Sequence, residues 1–559
     1  MKPALTTNLH SPASGQNLSR ATLGILAIAV FLLLLPMLSY PLGPDNGLFF
    51  VSGQKIVEQG AVHYRDIVDV KPPLIYYVNA LAISLFGNSP LSIRILDLLV
   101  QLATCLLLFR LTWRTTGSQK IGGLATVLYA ILYVGLNYSN TAQVESFVGI
   151  LGLPAIWLLL YRRIPSGFFL AGLLCGVLTF FKFTLGIVLA GLLVGDLLLY
   201  NDALRTRLRN YGAMAAGFGT IGLLFVLYLV TLDAAHGFAN MQTFLSGYTG
   251  IQWSAKMDFL RITLRKLPEF IGDKYSLAML FGTFVGMGAA ITGIGTAMPS
   301  STNDSTPRTE PEHGTTLLRI CTILFLFLLC TIALEAKWLH YHISRLFPFG
   351  VILAAYGIAA MYRALSAKTA GRFRLFILPA AIVFLLAFSP VTRYVFHLRP
   401  AFARLMNGPE AFDAHYAHTR EDDTWRFEEV REIGDLFRSK RLEGDKLYIS
   451  SGVSGLLYLE CAYIPDLAVF HSGFVIAPFA PEEWRDSMRT FLLGERPRFV
   501  VIQKSDRMPG ITSVMTTSSE LIEQKMPEVQ QMLRTEYSIA LETPAFVVYE
   551  KREEENTAE

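Results

Sequence analysis

The stretch VHYRDIVDVKPPLIYYVNAL, residues 62–81, sets His63, Arg65, Asp66, Asp69 and Lys71 directly before two prolines and an amphipathic aromatic run. Pro72 and Pro73 suit the first turn of a helix, where a missing amide N–H costs little, so Lys71 is expected at a helix N-terminus. Such a position attracts anions through free N–H groups and the helix dipole, and a lysine adds a full charge. The run from Leu74 to Phe86 is short for a membrane span and rich in Tyr, so it is expected to lie along the interface. Upstream, residues 47–60 read as an amphipathic helix and VHYRDIVDV as short and extended. GPDNGLFF places Asp45 just past the first apolar run, between breakers that fit an Asx-turn or a helix cap. A cation, exposed amides and carboxylates gathered at headgroup level could grip a lipid phosphate and manage a proton beside it.

Composition supplies the solvent. Of 559 residues, 52% are hydrophobic and 16% charged, too apolar for one soluble domain and characteristic of a polytopic membrane protein. A formal charge of +4, without a dense Lys/Arg block or an RNA-binding aromatic pattern, argues against nucleic acid as a partner. The five cysteines carry neither a disulfide framework nor metal spacing: Cys105, Cys175, Cys321 and Cys330 lie in apolar runs, and Cys461 stands alone in the tail.

Residues 1–20 are polar and read as a cytoplasmic tail; the apolar run 21–40 matches the ~20 residues a span needs and reads as an uncleaved anchor. Further apolar runs at 91–109, 121–138, 143–161, 166–182, 183–200, 212–232, 276–297, 317–334, 345–361 and 375–393 give about eleven spans within 21–393. Arginines and lysines at 110–120, 162–163, 205–209 and 363–374 occupy alternate connections, which assigns those to the cytoplasm and the C-terminal part to the outside. Residues 166–200 would reach ~52 Å as one helix, too long for a bilayer, yet both flanks are basic. The segment is therefore expected to go out and return, with Lys182 at the outer turn as either a snorkelling residue or an anion ligand.

The outer face then collects loop 42–90, a short link near Tyr138–Glu145, loop 233–275 and Glu335–Ser344, while 298–316 is expected to be a flexible cytoplasmic loop. Residues 394–559 turn soluble and read as an extracytoplasmic α/β domain. WRFEEVREIGDLFRSKRL and PEEWRDSMRTFLLG are its helices; DKLYISS, LAVF, RFVVIQK and AFVVYEK are its strand-like runs. GVSGLL is a turn rather than a nucleotide loop.

Asp45 after the first span, YRDIVDVKPPLIYY, the acidic TAQVESF after the third, LTFFKFT between the fifth and sixth, and KWLHYHISRLFPFGVILAAYG late in the chain together resemble the GT-C membrane glycosyltransferases. The resemblance covers roughly residues 20–395 and lies in the branch containing the protein O-mannosyltransferases and the lipid A aminoarabinose transferase. It implies an α-helical polytopic enzyme of GT-C fold that takes a sugar from a polyprenyl phosphate and passes it to a lipid, glycan or protein acceptor on the outer face. By the same resemblance Asp45 is the acid that acts as general base or orients the acceptor hydroxyl, and Glu145 is the acid of the second outer loop, alternatively a charge at a helix N-terminus. Lys71 is the lysine that meets the donor phosphate, Lys182 fits the turn lysine, and His340, Tyr341 and His342, with Lys337 beside them, fall in the loop that closes over that phosphate.

Three positions depart from the aminoarabinose transferase pattern: Asn46 and Leu48 replace an acid and an arginine, and Val70 replaces an acid before the K-P lysine. Arg65 or Arg345 are alternative phosphate ligands. Any divalent metal ion would have to use Asp69, His340 or His342, since the ligand at the Val70 place is lost.

The expected chemistry is a single-displacement, inverting transfer in which a carboxylate takes the acceptor proton and fixed positive charge receives the leaving phosphate. The rival is a transporter or flippase of lipid-linked sugars, which would place ionisable groups near midplane and relate two halves by a repeat. Asp97 is the main candidate of that kind, with Arg94 as a bland partner. A sensor role for the tail is a third reading, which about eleven spans do not fit.

Overall fold

The computed structural model describes residues 18–253, 256–292, 310–335, 337–368, 390–416 and 424–553. The apolar runs form helices α1 (Arg20–Leu34), α2 (Pro44–Gln59), α3 (Leu74–Phe86), α4 (Pro90–Thr116), α5 (Gln119–Val134), α6 (Val148–Tyr161) and α7 (Pro165–Thr179). They continue as α8 (Ile187–Leu199), α9 (Leu204–Thr231), α10 (Ala235–Trp253), α11 (Lys256–Lys274), α12 (Leu277–Thr292), α13 (Glu310–Glu335) and α14 (Phe347–Lys368). Local chemistry sets several boundaries. Pro44, Pro90 and Pro165 occupy the first turns of α2, α4 and α7, and Gly60 and Gly117 close α2 and α4 in the left-handed conformation.

Among the described residues, six helical stretches are long and apolar enough to cross a membrane: Arg20–Ser39, Pro90–Thr116, Val144–Tyr161, Leu204–Thr231, Gly314–Glu335 and His340–Ala364. Five shorter apolar helices accompany them: Leu74–Phe86, Gln119–Val134, Pro165–Thr179, Phe183–Leu199 and Leu277–Thr292. The apolar runs expected up to 361 coincide with these helices, and the run expected at 375–393 lies outside the described residues. The chain breaks at Lys182, between α7 and a 3-10 turn, as an out-and-return path requires. Arg163, before α7, reaches Asp196 and Asp202 at the far end of α8, both at 2.5 Å, so the two ends of the hairpin return to one level. Helices α7 and α9 cross closely enough that a Cβ on Gly217 would lie 2.0 Å from the Phe169 carbonyl oxygen, the small-residue contact favoured where lipid gives no hydrophobic drive.

Two local expectations are corrected. VHYRDIVDV is a compact turn, not an extended run: Tyr64 sits at φ 74°, its N–H donates to the Ile67 carbonyl at 2.8 Å, and Asp66 Oδ2 accepts the Val62 N–H at 2.8 Å. An aspartate that bonds nearby backbone amides stabilises such a turn over a strand. In the expected loop 298–316, residues up to 309 lie outside the described ones, and α13 already begins at Glu310, where Pro311 and two acids suit a first helical turn.

The C-terminal domain holds a four-stranded sheet in the order β1-β2-β4-β3, from β1 (Leu447–Ser450), β2 (Phe499–Gln503), β3 (Tyr537–Glu542) and β4 (Phe546–Lys551). β1 and β2 are parallel, whereas β4 runs antiparallel to both β2 and β3. Both expected helices form, as Phe427–Lys440 and Glu482–Glu495. YSIALE forms β3, a strand the sequence reading had not singled out, and LAVF forms none: the Ala468 carbonyl accepts the Val68 N–H from the loop between α2 and α3 at 3.0 Å. The expected GVSGLL turn leads straight into the helix Ser454–Glu460. That helix is pressed on α2 so closely that a Cβ on Gly455 would meet Leu48 N at 2.3 Å, and Leu48, Phe50 and Val51 share one apolar core with Leu456, Leu457 and Val501. Lys55 Nζ adds bonds to the carbonyls of Leu467 at 2.9 Å and Asp466 at 3.3 Å.

Candidate active site

Asp45 lies in the first turn of α2 and Lys71 two residues before Pro73, the cap of α3. The turn between these helices brings Lys71 Nζ to 3.4 Å from Asp45 Oδ2 and 4.7 Å from the centre of the Phe49 ring. The Lys71 amide donates to Asp69 Oδ1 at 3.3 Å, and its carbonyl accepts a bond at 3.1 Å from His63 Nε2, which must therefore carry the ring proton. His63 stacks on Tyr76 at 4.3 Å and leans on Tyr64 at 4.2 Å. Burial pushes its pKa down to about 3, so the ring is neutral and supports the Lys71 backbone without competing for its charge. Burial also opposes the charge on Lys71, but Asp45 and Asp69 together outweigh it and hold the ammonium above the ordinary lysine value. The Asp45 side chain keeps 37% of its surface, whereas Asp69 is buried.

A second cluster forms where η-type turns end the helices around Lys182. Lys182 Nζ lies 2.9 Å from Glu145 Oε1, 2.9 Å from Glu335 Oε2 and 3.0 Å from His342 Nε2. Arg345 reaches Glu145 Oε1 at 2.7 Å and Glu335 Oε1 at 2.8 Å, and Thr184 donates to that same Glu335 oxygen at 2.6 Å. Glu145 and Arg345 have no exposed side-chain surface, so their charges persist only because they are paired. Phe147 stacks on Phe181 at 4.3 Å, which fixes the segments carrying Glu145 and Lys182.

The two clusters face one another. Glu145 acts electrostatically on Lys71, and Tyr248 of α10 feels Lys71, Glu335, Asp45 and Asp69 together. Lys337 packs over the Tyr248 ring at 3.7 Å and donates to the Gly510 carbonyl of the C-terminal domain at 2.5 Å. Burial pushes the Lys337 ammonium down to about 8, with Glu335 opposing. Tyr341 lies 6.0 Å from Lys182 Nζ and shares the His340–Leu346 turn with His340, His342 and Arg345.

Thus Asp45, Lys71 and Asp69 come together, and Glu145, Lys182, His342 and Arg345 come together opposite them. Arg65 does not join: its side chain is 43% exposed, bound to Asp66 at 2.8 Å and to the Leu232 carbonyl. Among the described residues, no three His, Cys, Asp or Glu side chains converge to hold a metal ion; His342 is spent on Lys182 and Glu335. Asp97 is a buried acceptor for Tyr133 at 2.7 Å and Gln101 at 2.8 Å, and Arg94 bonds the carbonyl of Tyr138 and the Thr141 hydroxyl rather than pairing with it. Sequence reasoning missed Glu335, which ends an apolar run as any boundary acid does, and also Tyr248, whose place depends on packing. The only sequence signal for Glu335 was its position facing the HYH segment five residues on.

Residues 70–230 match the dolichyl-phosphate-mannose-protein mannosyltransferase family. No curated protein sequence matches the chain. Among solved structures, ArnT from Cupriavidus metallidurans is similar both bound to undecaprenyl phosphate and in the apo state, each with a TM-score of 0.55, 14% identity, 95% of this chain and 98% of that chain covered. The archaeal oligosaccharyltransferase AglB from Archaeoglobus fulgidus, in complex with an inhibitory peptide and a dolichol-phosphate, aligns with a TM-score of 0.49 and 11% identity over 95% of this chain and 74% of that one. Residues 70–230 thus resemble a mannosyltransferase family, and the chain as a whole shares the fold of ArnT.

Proposed function

We propose that the protein transfers a sugar from a polyprenyl-phosphate donor to a hydroxyl-bearing lipid, glycan or protein acceptor at the extracytoplasmic face, with inversion. The observation that carries this reading is the Asp45–Lys71 pair: an accessible carboxylate 3.4 Å from a largely buried ammonium that neighbouring carboxylates hold above the ordinary lysine value, at the junction of a helix bundle and the C-terminal domain. Undecaprenyl phosphate bound to ArnT, a protein of the same fold, supports the donor class.

In the proposed step, the acceptor oxygen attacks the anomeric carbon while Asp45 takes its proton, and the bond from that carbon to the phosphate oxygen breaks. The polyprenyl phosphate leaves as an anion, so it needs fixed positive charge rather than a general acid. Lys71 supplies that charge, while Lys182, held by Glu145, Glu335 and His342, shapes the opposite wall with His340 and Tyr341 of the closing turn beside it. Arg345 and Glu145 are committed to each other and to Glu335, which suits holding Lys182 in place better than direct chemistry. Charge supports this sidedness: Arg114, stacked on Trp157 and Tyr161, and Arg163 with its aspartates lie at the bundle end away from Lys182, where basic residues suit a cytoplasmic face.

A transport reading receives less support, since the buried acid of the α4 span, Asp97, is satisfied by Tyr133 and Gln101. The test is to incubate purified protein with radiolabelled polyprenyl-phosphate sugars and membranes of a deletion strain. Release of free polyprenyl phosphate with label passing to the membranes is expected; movement of intact donor between leaflets without release would overturn the reading.

A further inference from the structure

The C-terminal domain does more than rest on the bundle. Its segment 467–473 runs against the first outer loop, where the Val68 amide bonds to the Ala468 carbonyl at 3.0 Å and the Val68 side chain enters the apolar core of Val469, Phe474 and Val475. Val68 directly precedes Asp69, and His471, three residues past Ala468, lies within electrostatic reach of Asp69, Asp45 and Lys71. Two bonds then fix this segment, the second of them to the ring. The Ser472 amide donates to the Ser451 carbonyl at 3.3 Å, and the Gly473 amide donates to His471 Nδ1 at 3.1 Å.

Because Nδ1 accepts that bond, a neutral ring must carry its proton on Nε2. Burial keeps the imidazole below its ordinary pKa, against the pull of Asp69 and Asp45; Lys71 also acts on it, as does Asp506 from its own domain. His471 is only partly buried, so a ligand can reach it. A neutral N–H contributes little to a phosphate already met by lysines. It fits a polar oxygen beside the Asp45 carboxylate. The polyprenyl chain must also run into the bilayer, whereas His471 is carried by the soluble domain, the side from which a polar acceptor arrives.

We propose that His471 is an acceptor-binding residue of the active site, its Nε2–H donating a hydrogen bond that orients the acceptor at Asp45. The inference rests on the transfer reaction proposed above. It predicts that the soluble domain supplies part of acceptor recognition and leaves donor binding to the membrane helices.

The test uses the full-length enzyme, a radiolabelled polyprenyl-phosphate sugar as donor and membranes of a deletion strain as the acceptor source, each titrated in turn. His471→Phe keeps the ring packing and removes the donor; His471→Gln restores an N–H near the Nε2 position. Loss of one neutral hydrogen bond should raise the half-saturating acceptor membrane concentration about ten-fold in His471→Phe. The half-saturating donor concentration should stay unchanged, and His471→Gln should recover most of the loss. Misfolding would lower the maximal rate and leave half-saturation alone, so the half-saturation values decide. An unchanged acceptor value in His471→Phe, equal shifts for both substrates, or a Gln variant as poor as Phe would overturn the inference. If instead the wild-type enzyme releases no polyprenyl phosphate, the transfer reaction itself fails.

Discussion

Lys182 and Arg345 hold the same carboxylate oxygen, Oε1 of Glu145, at 2.9 and 2.7 Å, and both also reach Glu335. Two cations and two acids thus close a balanced cluster at the end of the bundle. Opposite it, among the described residues, Lys71 has the partly exposed Asp45 as its ion-pair partner. One side of the site is consequently pre-organised and charge-neutral, and the other presents the accessible carboxylate.

Asp45→Asn should lower the transfer rate by at least ~10², as loss of a positioned general base commonly does. Its side chain is partly exposed in a first helical turn, so membrane insertion and thermal unfolding should be near wild type. Release of labelled polyprenyl phosphate measures the rate, and wild-type turnover would remove Asp45 from its role.

Lys71→Ala should cost a similar ~10² or more, because charge stabilisation of the leaving phosphate is lost in a water-poor site. Lys71→Arg should recover only part of it, since a planar guanidinium does not reproduce a point charge packed on Phe49. The ratio of the two variants' rates checks this.

Glu145→Gln should destabilise the protein by about 3–5 kcal/mol, the usual cost of removing one partner from a buried ion pair. The double variant Glu145→Gln with Arg345→Met should unfold at a higher temperature than Glu145→Gln alone, because no buried guanidinium is left short of charge. Thermal unfolding in detergent gives both values.

His63 links stability to acid. Its folded pKa, near 3, lies below the ~6.5 of an unfolded histidine, so between these values the unfolded chain binds more protons. Stability should be complete above pH ~6.5 and fall as pH drops towards 3. His63→Phe should flatten this part of the profile, as read from unfolding temperatures across that window.

Gly455→Val should loosen the C-terminal domain, since any side chain there collides with the α2 backbone at Leu48. Faster limited proteolysis of residues 424–553, together with reduced transfer, is the expected outcome.

Lys71 and Asp45 were legible because prolines and breakers mark helix starts locally, whatever the rest of the chain does. The return at Lys182 was legible from length alone, since no bilayer accommodates the unbroken helix. Glu335 was not: it acquires meaning from Lys182, 153 residues away, and from Thr184, which no pattern links to it. The misread strand LAVF shows the same limit, because its carbonyl at Ala468 found a partner in the loop between α2 and α3 rather than in the sheet.

Sequence by itself determined the solvent, the approximate helical runs and the identity of the charged groups at their ends, because hydrophobic length and breaker residues act over a few turns. Tertiary structure alone decided which charges meet. Buried ions persist only where an opposite charge is within bonding distance, and the chain segments that supply Glu145, Lys182, Glu335, Arg345 and His471 are neighbours only after the helices pack and the soluble domain docks.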